Sequence, residues 1–223
     1  MKVLSLLSQK GGVGKTTLAT CLAVAAQRDG KTAAILDLDP QATASFWKDV
    51  RGKDTPAVTS IQSVRLPAVI EAARNAGTDL VIIDGAAVQR EIAYEAAAVS
   101  DFILIPTKPA VFDTMSMTQT QNAARQHNTP YAIVLNMVAP SGPELMDAVE
   151  AAKTMGADFC PVMIRQRKAF FRAQGEGLAV QEYEPSGKAA REIKELYAYT
   201  CIQLYGKGDA YEKDQNKRIA SRA

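Results

Sequence analysis

The residues best suited to chemistry lie close to the N-terminus, in the run Lys10-Gly11-Gly12-Val13-Gly14-Lys15-Thr16-Thr17. Glycines at this density let the backbone curl until successive N–H groups face one anion. A lysine and two hydroxyls then follow at the spacing of a phosphate-binding loop. In that pattern Lys15 reaches the β- and γ-phosphates, the Thr16 hydroxyl ligates Mg²⁺, and Thr17 is placed for the α-phosphate. The loop departs from Gly-x-x-x-x-Gly-Lys-Thr by lacking its first glycine and carrying Lys10. The expected ligand is ATP with Mg²⁺.

Three aspartates extend the site. Asp84 closes the apolar run Leu80-Val81-Ile82-Ile83 and is expected to hold Mg²⁺ through water. Asp37 and Asp39 close another apolar run, in Leu36-Asp37-Leu38-Asp39-Pro40-Gln41. Asp39 is the first candidate to orient an attacking water, with Asp37 the alternative. No His or Glu lies near them in sequence, so positioning and electrostatics must carry most of the rate.

Such residues need elements to bring them together. Short apolar runs predict strands over Val3–Leu7, Thr32–Asp37, Leu80–Asp84, Phe102–Pro106 and Tyr131–Asn136. Runs apolar on both faces suit a parallel sheet covered by helices. Helical patterns fall between them, over Lys15–Asp29, Thr43–Val50, Leu66–Ala76, Glu91–Ala98, Thr114–Arg125 and Gly142–Met155. This alternation predicts an α/β fold, a doubly wound and mostly parallel sheet flanked by helices. A further strand is expected over Phe159–Ile164, with helices over Ala169–Gln174 and Ser186–Tyr205. We expect one phosphate-loop domain over 1–205 and a polar, flexible tail over 206–223.

Composition narrows the function classes. At 223 residues and 47% hydrophobic, the chain suits one α/β domain with a large core. A formal net charge of +2 gives no bulk attraction to nucleic acid or anionic lipid, so any such binding needs a local patch. Cys21, Cys160 and Cys201 are too scattered for a zinc site or a disulfide framework. His127 is the only histidine, which leaves histidine catalysis almost nothing to use. No stretch approaches the roughly 20 apolar residues of a membrane span. The expected location is the cytoplasm.

Taken together, Lys10–Thr17, the Asp37–Gln41 segment and the Asp84 strand resemble the ParA/MinD family of deviant Walker ATPases. The likeness covers about 1–205. Asp39-Pro40-Gln41, Ile164-Arg165-Gln166-Arg167, Gly177-Leu178-Ala179-Val180 and Ser186-Gly187-Lys188-Ala189-Ala190 resemble its small ParA-type, ParF-like partition members. One departure is Asp84-Gly85-Ala86-Ala87, where many relatives carry Asp-Thr-Pro-Pro or Asp-Thr-Pro-Gly; the glycine is expected to leave this loop more flexible.

The resemblance implies a cycle. ATP yields a sandwich homodimer in which Lys10 reaches the partner's nucleotide. The dimer coats nucleoid DNA without sequence preference. A ParB-like activator on the cargo stimulates hydrolysis and so releases the protein. The resemblance also implies an amide against adenine, which points to Asn136; a turn cap explains Asn136 equally well.

Two basic clusters could contact DNA phosphates: Arg165, Arg167, Lys168 and Arg172, and Lys188, Arg191 and Lys194 at three-residue spacing on a helix. Glu192 and Glu195 interleave with the second, as on an ordinary solvated face. DNA partition is the leading expectation. The alternatives are the same machine serving a chemoreceptor cluster, a microcompartment or a conjugative DNA complex, or a phosphate-loop metabolic enzyme. A membrane-bound MinD-like form would need an amphipathic C-terminal helix, and Lys207–Ala223 lacks an apolar face.

Overall fold

A computed structural model describes residues 1–87, 90–109, 114–139 and 159–206, with isolated positions between 142 and 150. The expected helix Gly142–Met155 and the tail beyond Gly206 lie outside the described residues.

Among the described residues, six parallel strands form one sheet. They are β1 (Lys2–Leu6), β2 (Ala33–Asp37), β3 (Ala57–Ser60), β4 (Leu80–Asp84), β5 (Phe102–Thr107) and β6 (Tyr131–Leu135), in the order β3-β2-β4-β1-β5-β6. The α-helices among the described residues are α1 (Lys15–Arg28), α2 (Thr43–Arg51), α3 (Leu66–Asn75), α4 (Arg90–Val99), α5 (Thr114–Gln126), α6 (Lys168–Gly175), α7 (Val180–Tyr183) and α8 (Lys188–Tyr205). The five strands expected before Asn136 and the helices among them fall within two residues of their expected bounds.

Alternation along β1 shows how the sheet is covered. Leu4 and Leu6 enter one core with Leu18 and Leu22 of α1 and Ile193 and Leu196 of α8. Val3 enters the opposite core, with Leu66 and Ile70 of α3 and Ala93, Ala96 and Ala97 of α4. Helices therefore bury both faces, which parallel strands with continuous apolar runs require.

Three regions differ from the sequence reading. The edge strand β3 was not anticipated: only Val58 of its four residues is buried, so it carries no apolar run. Phe159–Ile164 does not form the expected strand. Only isolated parallel bridges occur there, from Phe159 to Ile133 and from Arg165 to Val138. The single turn α7 was also missed; it is too short for helical periodicity to register.

The C-terminal segment is tied to the region after β2. The Trp47 indole donates to the Leu178 carbonyl at 3.3 Å. Arg51 forms a two-pronged pair with Glu182, at 2.7 and 2.8 Å. A side chain on Gly177 would sit 2.3 Å from the Arg51 nitrogen, so only glycine permits this approach.

Candidate functional site

The C-terminal ends of β1, β2, β4, β5 and β6 meet along one edge of the sheet, where open parallel sheets bind ligands. Register places Asp37 directly beside Asp84, and Asp84 beside Leu6. The sheet thus gathers residues that sequence separates by dozens of positions.

The loop leaving β1 has the strained backbone that its glycines permit. Gly12 and Gly14 lie at φ +67° and +88°. Gly14 precedes α1, whose N-terminus has no side-chain cap and no acid in its first turn. Its first N–H groups are the orphan donors of any helix, and an anion would satisfy them. Lys15 is buried beneath the loop, and its ammonium donates to the Ser8 and Lys10 carbonyls at 3.1 Å each. Burial lowers its pKa, while the charges of Asp84 and Asp39 act the other way. Thr16 and Thr17 are half-buried, and Lys10 is exposed at the rim with Gly11 and Gly12.

Asn136 lies against this loop. It is buried, its amide nitrogen donates to the Val13 carbonyl at 2.7 Å, and its amide oxygen accepts from the Met137 N–H at 2.9 Å. A methyl group on Gly14 would sit 2.4 Å from that amide nitrogen. The Asn136 amide therefore braces the loop from below in this structure. Gly14→Ala combines that clash with an unfavourable φ. It should destabilise the fold by about 1–3 kcal/mol, a fall in Tm of roughly 2–12 °C, and weaken nucleotide binding. Thermal denaturation with and without nucleotide measures both effects.

The aspartates separate in role. Asp37 is fully buried, and its carboxylate accepts from the N–H groups of Asp39, Ala44 and Ser45 at 3.1, 3.1 and 3.2 Å. The position before α2 is Ala42, which has no capping side chain. Asp37 supplies the missing cap from the end of β2. Burial raises its pKa, and the backbone N–H groups oppose that rise. Its oxygens are engaged in capping, which sets it apart from the water-orienting alternative considered above. Asp39 is nearer the surface, and one of its oxygens accepts from the Gln41 N–H at 2.9 Å.

Asp84 is fully buried, and neither carboxylate oxygen accepts a hydrogen bond of standard geometry. Burial pushes its pKa up to about 7, while the nearby Thr16 hydroxyl and Lys15 favour the charged form. Two orphaned carboxylate oxygens beside a threonine hydroxyl suit a hard divalent cation such as Mg²⁺. Thr16 and Asp84 would hold it, and the ion would offset charge on the phosphates. Gly85 packs closely against the end of β1. Its N–H donates to the Leu6 carbonyl at 3.1 Å, and a Cβ would meet Leu7 at 2.6 Å and that carbonyl at 2.9 Å. Close approach to β1 accounts for the glycine.

The two basic clusters differ in availability. Arg165 donates to the Ala139 carbonyl at 3.1 Å, and Arg167 is paired with Glu192. Lys168 and Arg172 of α6 are exposed, as are Lys188, Arg191 and Lys194 of α8. Glu192 turns inward to Arg167, so of the two interleaved acids only Glu195 shares the exposed face of α8. Phe170 packs against the core, whereas Phe171 is 84% exposed.

Comparison with known proteins agrees with this geometry. The model of the CobQ/CobB/MinD/ParA nucleotide binding domain matches residues 4–180. A protein of Gloeobacter kilaueensis named "Maintenance of carboxysome distribution protein A" is 34% identical over 209 residues, covering 91% of this chain and 94% of its own. A Cyanothece McdA variant solved as an ATP complex superposes with a TM-score of 0.73 at 16% identity, covering 90% of this chain and 95% of that one. The septum site-determining protein MinD of Pyrococcus horikoshii, solved with Mg-ADP, superposes at 0.71 with 18% identity, covering 92% and 99%.

Proposed function

Because this chain belongs to the CobQ/CobB/MinD/ParA nucleotide-binding family, we propose that it is a Mg²⁺-dependent ATPase that positions a large protein assembly in the cell. Lys15, the loop N–H groups and the start of α1 hold the phosphates. Thr16 and Asp84 hold Mg²⁺, and Asp39 orients the attacking water. Hydrolysis to ADP and phosphate then proceeds by positioning and charge stabilisation. Lys10, exposed at the rim, acts across an ATP-bound homodimer on the partner's nucleotide. An activator protein on the cargo stimulates turnover.

The observation that favours a protein cargo over a plasmid or chromosome is the 34% identity, across nearly the whole chain, to a protein named for carboxysome distribution. DNA partition, the leading expectation from sequence, becomes the second reading. The likeness of Asp39-Pro40-Gln41 and Ile164–Arg167 to small partition proteins supports it. Gene deletion separates them. Loss of even spacing of a protein assembly with unchanged plasmid inheritance supports the first reading; plasmid loss with unchanged assemblies supports the second.

Both readings use DNA as the track. Lys188, Arg191 and Lys194 present an exposed basic row, and dimerisation doubles it on one particle. Six cations contacting backbone phosphates would make affinity fall by about a thousandfold between 50 and 200 mM salt. ATP should therefore support DNA binding in a gel shift, while ADP and no nucleotide should not. Reversing all three charges to Glu should weaken that binding about tenfold or more on every sequence, with nucleotide affinity unchanged. If the reversed protein binds as wild type while a Lys168/Arg172 variant fails, the contact surface lies on α6 instead.

A further inference from the structure

Lys108 was not singled out by any motif, yet the fold carries it to the phosphate loop. It follows β5, the neighbour of β1 on the side away from β4. A methyl group built on Gly12 would lie 3.9 Å from the Lys108 ammonium. The cation therefore lies close to the exposed outer part of the loop.

The residues on either side of it are constrained. Thr107 is buried at the end of β5, and its carbonyl accepts from the Asn136 N–H at 2.8 Å. Asn136 in turn grips the Val13 carbonyl at 2.7 Å, so loop and lysine share one brace. Pro109 follows, which biases Lys108 towards extended backbone.

The direction of approach decides which phosphate it would meet. In the assignment above, Thr17 faces the α-phosphate and Lys15 the β- and γ-phosphates. Moving back along the loop towards Gly12 continues towards the terminal phosphate. Lys15 would reach that group from beneath the loop, and Lys108 would reach it past the exposed Gly12. The two ammonium groups come from the start of α1 and the end of β5 and would bracket the same charge.

We propose that Lys108 is a further phosphate-binding residue of this site, supplied within the same subunit and directed at the terminal phosphate of a nucleoside triphosphate. The inference rests on the nucleotide-site reading and adds to it a residue that discriminates triphosphate from diphosphate. A half-exposed ammonium on a phosphate oxygen forms a charge-assisted hydrogen bond that exists only when the terminal phosphate is present.

The test is titration of Lys108→Ala, Lys108→Gln and Lys108→Arg with fluorescent ATP and ADP analogues in the presence of Mg²⁺. Lys108→Ala and Lys108→Gln should weaken ATP about tenfold and leave ADP within about twofold of wild type. Lys108→Arg should recover most of the ATP affinity, because it restores the charge. Equal weakening of both nucleotides would indicate a merely structural role and overturn the proposal, as would no change in either. A wild-type protein that bound neither nucleotide would overturn the nucleotide-site reading and this inference with it. Wild-type binding alongside an indifferent Lys108→Ala would overturn this inference alone.

Discussion

Lys15→Ala should reduce ATP affinity by roughly a hundredfold or more. Lys15 is buried, and its ammonium is held by two carbonyls of the loop it serves. Deleting one partner of a buried, hydrogen-bonded charge pair costs about 2–5 kcal/mol, and each 1.4 kcal/mol is about tenfold in affinity. Two effects add here. In the proposed site the β- and γ-phosphates lose their main cation, and the Ser8 and Lys10 carbonyls lose their Lys15 donor. Lys15→Arg would keep the charge, but a guanidinium is a planar fork and the buried position holds a compact ammonium between two carbonyls, so it should restore little. Calorimetry with ATP and Mg²⁺ gives the answer, with thermal denaturation confirming that the variant is folded. Wild-type affinity in Lys15→Ala would remove this loop as the nucleotide site.

The phosphate loop was legible because its function demands local residues in a fixed order. Glycine, lysine and threonine must follow one another on a single turn from strand to helix, and sequence displays that directly. The strand ends bearing Asp37 and Asp84 were legible for a related reason. A buried parallel strand reads as an apolar run, and a carboxylate closing it stands out.

What sequence could not display is which strands are neighbours. β1 lies between β4 and β5, so the loop meets Asp84 from one side and Lys108 from the other. A lone lysine before a proline has no pattern, and only the strand order gives it a place. The same holds for Asn136. Its position at the end of a strand was readable, but its bond to Val13, 123 residues away in sequence, was not. Asp37 shows a third kind of concealment. Its capping of α2 depends on Ala42 being unable to cap, an absence that becomes informative only once the helix start is known. β3 was hidden because an edge strand with one buried residue need not alternate cleanly.

Asp84→Asn should reverse the order of stability between apo and loaded protein. In the apo protein Asp84 is a destabilising group: it is fully buried, neither oxygen accepts a hydrogen bond of standard geometry, and the nearby Thr16 hydroxyl offsets the burial only in part. Its pKa stands at about 7, against 3.8 for an unperturbed aspartate. The sign follows from proton linkage. Below about pH 4 the carboxyl is protonated in both folded and unfolded chains, and it contributes no pH dependence. Between about pH 4 and 7 the unfolded chain releases its proton while the folded chain retains it, so wild type loses stability as pH rises. Above about pH 7 both states are ionised and the penalty levels off. Asparagine never ionises, so Asp84→Asn should gain on wild type through that window and melt higher at pH 8. An advantage of about 1–2 kcal/mol corresponds to roughly 2–8 °C in a domain of this size. Mg²⁺ with nucleotide changes the balance. A divalent cation turns the orphaned carboxylate into a ligand, and wild type should rise in Tm by RT ln(1 + [L]/Kd). The neutral amide is a far weaker partner for a hard cation, so the variant should show little increase from Mg²⁺ beyond that given by nucleotide with a chelator. Melting curves at pH 5 and pH 8, with and without Mg²⁺ and nucleotide, test the whole set. An Asp84→Asn protein that melts below wild type at pH 8 without ligand would show that the carboxylate is structurally satisfied in solution. A full Mg²⁺ response in the variant would move the metal to other ligands.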